Sequence, residues 1–292
     1  MILKRKIYKK LLEWKNECQG KKALLIEGAR RIGKSTICEE FGKNEYESYL
    51  LIDFAKKDKE VERYFERYLN DLDTFFMLLQ THFGTKLTER NSLIIFDEVQ
   101  MFPQARAAIK YLVADGRYDY IETGSLISIR ENVKNIVIPS EERNINMYPL
   151  DFEEFAIALE EDLLVEYIKK CFEKREPLER SMHNQAMLLF HQYMLVGGMP
   201  MPVVSFIENK KDFTEADKEK RDILKLYRED IMKIDMRYRS KVLAIYDKIP
   251  GFLSQHEKRV VFKKLQDGSY ADQYEETFFW LSDSMISNEC FL

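Results

Sequence analysis

Gly28, Gly33, Lys34 and Ser35 stand in the spacing Gly-x-x-x-x-Gly-Lys-Ser, which suits a loop that wraps a chain of phosphates. Glycine at 28 and 33 permits backbone angles that a side chain forbids, so the N–H groups of Ala29, Arg30, Arg31, Ile32 and their neighbours can turn inward onto anionic oxygens. Lys34 sets a point charge between the β- and γ-phosphates, and Ser35 offers a hydroxyl to Mg²⁺. Thr36 opens the helix that follows, whose N-terminal dipole also favours the anion. Residues 28–36 are therefore the expected contacts of a nucleoside triphosphate.

A second group of candidates lies downstream. Asp97 and Glu98 end a run of four apolar residues, 93–96. Asp97 complements Ser35 as a Mg²⁺ ligand or as the carboxylate behind one. Glu98 is suited to hold an attacking water and accept its proton. Ser125, with Thr123 behind it, ends another expected strand, where a hydroxyl contacts the γ-phosphate or orients the water. Arg143 is the candidate arginine finger or nucleotide sensor, a charge that spreads the negative charge of the transition state. Its neighbours Glu141 and Glu142 also fit an ordinary surface ion pair.

These positions need a parallel sheet whose strand ends meet on one side. Residues 23–26 make a short buried strand before the loop, and residues 47–54 a second. The continuous apolar run before Asp97 marks a strand buried on both faces. Residues 118–122 and 146–150 supply two more. Helices fall between them: 7–18, one from 36, a charged and aromatic helical region over 58–79, and 105–113. Strands alternating with helices predict a doubly wound α/β sheet with its ligand at the carboxyl ends of the strands. From Asp151 the pattern turns wholly helical, with expected helices at 152–164, 165–172, 180–195 and 216–233. Pro177 and Gly197-Gly198-Met199-Pro200 separate them. The tail reads helix, turn, helix, turn, helix, with a turn at 266–270 and a last amphipathic helix carrying Phe278, Phe279, Trp280, Leu281 and Met285, spacing that suits a helix-turn-helix. The expected domains are 1–155, 156–240 and 241–292.

Composition narrows the classes. A chain of 292 residues with 45% hydrophobic and 33% charged residues is an ordinary globule, and a net charge of −4 gives no global bias toward nucleic acid or membranes. The four cysteines (Cys18, Cys38, Cys171, Cys290) and four histidines (His82, His183, His191, His256) show no ligand spacing. That is the pattern of reduced thiols in a cytoplasmic protein and argues against zinc. The basic N-terminus lacks the apolar stretch of a signal peptide, and the most apolar long window, 186–204, is interrupted by His191, Gln192, two glycines and two prolines, so no membrane span is expected.

In order along the chain stand Gly28-Ala29-Arg30-Arg31-Ile32-Gly33-Lys34-Ser35, Asp97-Glu98-Val99-Gln100, Thr123-Gly124-Ser125 and Tyr148-Pro149-Leu150-Asp151-Phe152-Glu153-Glu154-Phe155. Tyr193-x-x-x-Gly197-Gly198-Met199-Pro200 and Tyr227-x-x-Asp230-Ile231 follow. The series resembles a large prokaryotic family of AAA-type P-loop ATPases, in which an AAA domain is joined to a helical and winged-helix segment and then to a restriction-endonuclease-like domain of unknown function. The resemblance implies ATP and Mg²⁺ as ligands of Lys34, Ser35 and Asp97, and Glu98 as hydrolytic base. It puts Arg143 at the family's arginine position, with Glu142 in place of the usual glycine and Arg31 where glutamine is usual. The sequence stops at Leu292, about where the first strand of the wing is expected, and holds no nuclease-like module.

Two functions compete. One is a Mg²⁺-dependent ATPase whose turnover moves the helical and winged-helix part, with the C-terminal helices touching DNA or a protein client. The other is a nucleotide-gated switch with negligible turnover, signalling through a homo-oligomer or DNA contact. A small-molecule kinase fits less well, since no acid-and-arginine lid for an acceptor is present. Basic pairs at 210–211, 258–259 and 263–264 are interleaved with acids and carry little weight for DNA.

Overall fold

A computed structural model describes residues 1–124, 140–234, 236–255 and 275–287. They form two compact units, Met1–Ala216 and Asp217–Leu292.

The first unit is built on five parallel strands: β1 (Ala23–Gly28), β2 (Ser48–Asp53), β3 (Ser92–Asp97), β4 (Asp119–Gly124) and β5 (Glu142–Met147), in the order β2-β3-β4-β1-β5. Every residue of β3 and β4 is buried; the continuous apolar run of β3 predicts this for a central strand, whereas β4, with Asp119, Glu122 and Thr123, is buried by its place between β1 and β3. Strand side chains alternate between faces. Ala23, Leu25, Ile94, Phe96 and Tyr120 point into a core shared with α3 (Lys59–Tyr68), α4 (Leu72–Phe83) and α5 (Pro103–Asp115). The other face carries α2 (Lys34–Glu45), packed on β2, β3 and β4, with α1 (Ile7–Cys18) against α2. The charged region at 58–79 becomes two helices because Asp58 and Asp71 each cap one, accepting the N–H groups of Glu60 and Val61, and of Thr74.

The last strand of the unit differs from expectation. It covers 142–147 rather than 146–150. Pro149 has no N–H to give a ladder, and β5 pairs with β1 alone among the described strands, so its solvent-facing positions are Arg143, Asn144 and Asn146 rather than apolar residues.

Helices α6 (Phe152–Ala158), α7 (Asp162–Lys174), α8 (Arg180–Val196) and α9 (Pro200–Glu208) enclose a second core around Leu150, Phe155, Val196, Val203 and Phe206. The expected helix at 152–164 breaks where Glu160 takes a left-handed conformation, φ +64°. Helix α9, which the periodicity did not single out, starts on Pro200, a residue preorganised for a first helical position. Helix α10 (Phe213–Ile231) follows. In the second unit α11 (Met236–Leu253) and α12 (Glu275–Asp283) pack around Ile231, Val242, Ile245, Phe252 and Leu281, with Phe278 and Trp280 partly buried. Met285 lies just beyond α12, at φ +56°. The turn at 266–270 and the basic pairs at 258–259 and 263–264 lie outside the described residues. No helix among those described is long and apolar enough to cross a membrane.

On the α5 face of the sheet the core holds, among the described residues, the ionisable side chains of Arg106, Glu142 and Glu122. Arg106 of α5 grips Glu142 of β5 in a fork, Nη2 to Oε1 at 2.8 Å and Nε to Oε2 at 3.2 Å, with both side chains almost fully buried. Glu122 of β4, opposite Leu25 in β1, is fully buried, and neither of its oxygens has a hydrogen-bond partner among the described residues. Burial, then the nearby Glu142 carboxylate, push the Glu122 carboxyl well above the usual range, while Arg106 pulls the other way. The folded chain thus keeps a proton that the unfolded chain releases once pH passes the ordinary carboxyl range. Stability from this group is full below that range and falls as pH rises through it. Glu122→Gln supplies the neutral form permanently, so its melting temperature should gain on wild type between pH 4.5 and pH 7.5, by a few degrees. Equal differences at both pH values would show that Glu122 is ionised in the fold.

Candidate functional site

The phosphate loop leaves β1 with Gly28 wedged under β5. A Cβ there would lie 2.4 Å from the Met147 carbonyl oxygen and 2.5 Å from Ile32 Cδ1, so only glycine fits. Gly33, at φ +91°, takes the left-handed region that a side chain disfavours. Arg31 shares that region, at φ +67°, and is exposed at the loop tip. Ala29 and Ile32 are buried anchors, Arg30 is half-buried, and Thr36 is exposed in the first turn of α2.

Lys34, only 6% exposed, donates from Nζ to the carbonyl oxygens of Gly28 at 3.1 Å and Ala29 at 2.9 Å. An ammonium has three donors, so among the described residues one remains for an anion. Burial pushes the Lys34 pKa down, and the carboxylates of Glu98 and Asp97 act in the opposite sense. Ser35 Oγ donates to Asp97 Oδ1 at 2.8 Å, and Thr123 Oγ1 donates to the same oxygen. The strand order accounts for this convergence. Strand β4 lies between β1 and β3, with Ile26 opposite Thr123, so the end of β4 stands between the loop and Asp97. Glu98 follows at φ +54°, its N–H donating to Thr123 Oγ1 at 3.4 Å, and its carboxylate accepts from Gln100 Nε2.

The structure thus brings Gly28, Gly33, Lys34, Ser35, Asp97 and Glu98 together, with Ala29, Arg30, Arg31, Ile32 and Thr36 on the loop around them. Arg143 is not part of this group. It sits on β5 opposite Leu24, four residues upstream of Gly28 and so roughly 13 Å back along the strands. There its Nη1 donates to Glu17 Oε2 at 2.6 Å in a solvent-exposed pair. Ser125 lies outside the described residues. Two residues that sequence reasoning gave no task belong here: Thr123, read only as the residue behind Ser125, and Gln100, quoted in a motif without a role.

The donor set fits Mg²⁺ and phosphate. Ser35 and Asp97 offer hard oxygens on one spot, and among the described residues no cluster of three or more His, Cys, Asp or Glu side chains forms a metal cage. Mg²⁺ commonly binds through one or two protein oxygens while keeping waters and substrate phosphates.

Among solved structures, the chain is similar to a Walker-type ATPase of Pyrococcus abyssi (15% identity, 97% of this chain and 90% of that chain, TM-score 0.49). It is also similar to AMPPCP-bound DnaA of Aquifex aeolicus (12% identity, 98% and 91%, TM-score 0.43). A further likeness is to the Aeropyrum pernix ORC1 protein in complex with DNA (9% identity, 96% and 84%, TM-score 0.36). No curated protein matches the sequence. Residues 187–292 match the model of a family described as a domain of unknown function, DUF8612. Residues 20–156 match the model of the AAA domain family AAA_14, and every candidate residue above falls within them. Residues 20–156 are therefore similar to an AAA domain, with the glycine-rich loop of residues 28–35 at the end of β1 and the acidic pair Asp97-Glu98 at the end of β3.

Proposed function

We propose that the protein is a Mg²⁺-dependent ATPase that couples ATP binding and hydrolysis to movement of the helices after the sheet. The reading is carried by one observation: the hydroxyls of Ser35 and Thr123 converge on Asp97 Oδ1 beside the buried ammonium of Lys34. In this reading the N–H groups of residues 29–35 hold the phosphates, and Lys34 exchanges its loop carbonyls for phosphate oxygens. Ser35 and Asp97 hold Mg²⁺, which when bound neutralises charge on the β- and γ-phosphates. Glu98 takes a proton from water as the water oxygen bonds to the γ-phosphorus. The bond from that phosphorus to the bridging oxygen breaks, and ADP and phosphate are released.

Coupling has a short route within the first unit. The Leu150 N–H donates to the Gly198 carbonyl at 2.7 Å, and Tyr193 Oη donates to the Leu150 carbonyl at 2.8 Å. A Cβ on Gly33 would lie 3.7 Å from Pro200 Cγ. The turn between α8 and α9 therefore rests on the loop that changes partners when phosphate binds. DNA, a protein client or a second copy of the chain are the proposed recipients of the motion.

The hydrogen bond that Gln100 gives Glu98 favours a second reading, a switch that binds nucleotide and turns over negligibly because its base is held. Titration with MgATP and release of phosphate, on the same preparation, separate the two. Wild type should bind MgATP in both readings and release phosphate only in the first. Lys34→Ala should weaken MgATP binding about ten- to hundredfold, the range for losing a charge-assisted hydrogen bond. Equal affinity in wild type and Lys34→Ala would take the loop out of nucleotide binding.

A further inference from the structure

Arg5 precedes α1, and the partners of its side chain are far from it in sequence. Its side chain is 6% exposed, and its guanidinium reaches three separate segments. Nη1 donates to the Ile32 carbonyl in the phosphate loop at 3.0 Å, and Nη2 to the Tyr148 carbonyl after β5 at 2.6 Å. Nε donates to Glu154 Oε1 at 3.3 Å. The backbone N–H of Lys6 adds a bond to the same Glu154 oxygen at 2.6 Å. Glu154 is itself fixed, because it closes the capping box of α6 with Asp151.

The contact to Ile32 bears on phosphate binding through peptide geometry. In a trans peptide the C=O of one residue and the N–H of the next point in opposite directions across a rigid plane. Holding the Ile32 carbonyl toward Arg5 therefore aims the Gly33 N–H away from Arg5. Gly33 has no side chain to restrain that plane and sits in the left-handed region, so its N–H needs an external tether. A planar guanidinium with donors on fixed vectors can serve three acceptors at once, and an ammonium on a flexible stem cannot hold that fork.

We propose that Arg5 is a positioning residue for nucleotide binding: it locks the Ile32–Gly33 peptide in its phosphate-receiving orientation and ties the loop to the turn that opens the helical region. The proposal rests on reading the loop as the triphosphate site, and it makes the segment before α1 part of that site.

The test uses the full chain with MgATP as probe, in wild type, Arg5→Met, Arg5→Lys and Glu154→Gln. Glu154→Gln keeps an oxygen acceptor for Nε and leaves the Ile32 contact in place. Arg5→Met should raise the Kd for MgATP about tenfold and Arg5→Lys severalfold, both with faster amide exchange at Gly33, and Glu154→Gln should stay within about twofold. Melting without nucleotide shows which variants are folded, and Arg5→Lys serves where Arg5→Met is not. Folded Arg5 variants with wild-type affinity and Gly33 exchange would overturn the proposal. So would Glu154→Gln reproducing the whole loss, since the effect would then run through the cap of α6. Failure of wild type itself to bind MgATP would instead reject the nucleotide-site reading.

Discussion

Glu98→Gln should cut Mg²⁺-dependent phosphate release by about 10²- to 10⁴-fold, the usual range for removing a general base, and leave MgATP affinity within about twofold. Glutamine has nearly the same shape, can still meet the side chain of Gln100, and orients water without accepting its proton. Lys34, Ser35 and Asp97, which carry the binding load in this reading, keep their contacts. A binding titration and a phosphate assay on the same variant give both numbers. Unchanged turnover would remove Glu98 from the mechanism, and lost binding would move its role to the ground state. A Gln100→Ala background sharpens the reading, because a base freed from its amide partner should then show a larger difference between Glu and Gln at position 98.

Arg106→Met should destabilise the fold by about 3–5 kcal/mol, the cost of leaving a buried charge without its partner. Arg106 pairs with Glu142 and faces Glu122 in that interior, and its fork spans from α5 to β5. Methionine fills similar volume and leaves the buried Glu142 without its guanidinium partner. The loss should shrink in acid, where a buried carboxylate that has lost its partner is neutralised at less cost. Chemical denaturation at pH 7.5 and pH 5 measures it, with Arg143→Met as reference. The Arg143–Glu17 pair is solvent-exposed, and such pairs contribute about 0–1 kcal/mol. A change of under 1 kcal/mol for Arg106→Met at pH 7.5 would mean that water reaches the cluster.

What the sequence made legible follows from where each signal is written. Strands β1 and β3 carry continuous apolar runs that announce them, and the phosphate loop is a contiguous spacing bracketed by a strand and a helix. The meeting of Ser35 with Asp97 was inferable from chemistry, because a hydroxyl at a helix start and an acid at a strand end serve one ion. Thr123 was half visible. Its place depends on β4 lying between β1 and β3, a strand order that periodicity does not carry. Arg5 was silent, since its partners Ile32, Tyr148 and Glu154 lie up to 149 positions away. The expectation for Arg143 came from its position in a motif series, while the structure pairs it with Glu17 at the far end of the strands. Helix boundaries failed where a backbone angle decided them, as at Glu160.

The polarity that hid β5 from pattern reading has a further effect. An outermost strand is a template on which another sheet can crystallise, and an apolar, regular one invites stacking into fibrils. Here that margin is Arg143-Asn144-Ile145-Asn146, with the Arg143 charge and the amides of Asn144 and Asn146 turned to solvent and Pro149 soon after. An incoming chain would have to strip water from those groups to extend the sheet. The same residues that make this stretch illegible as a strand also discourage the sheet from growing past it.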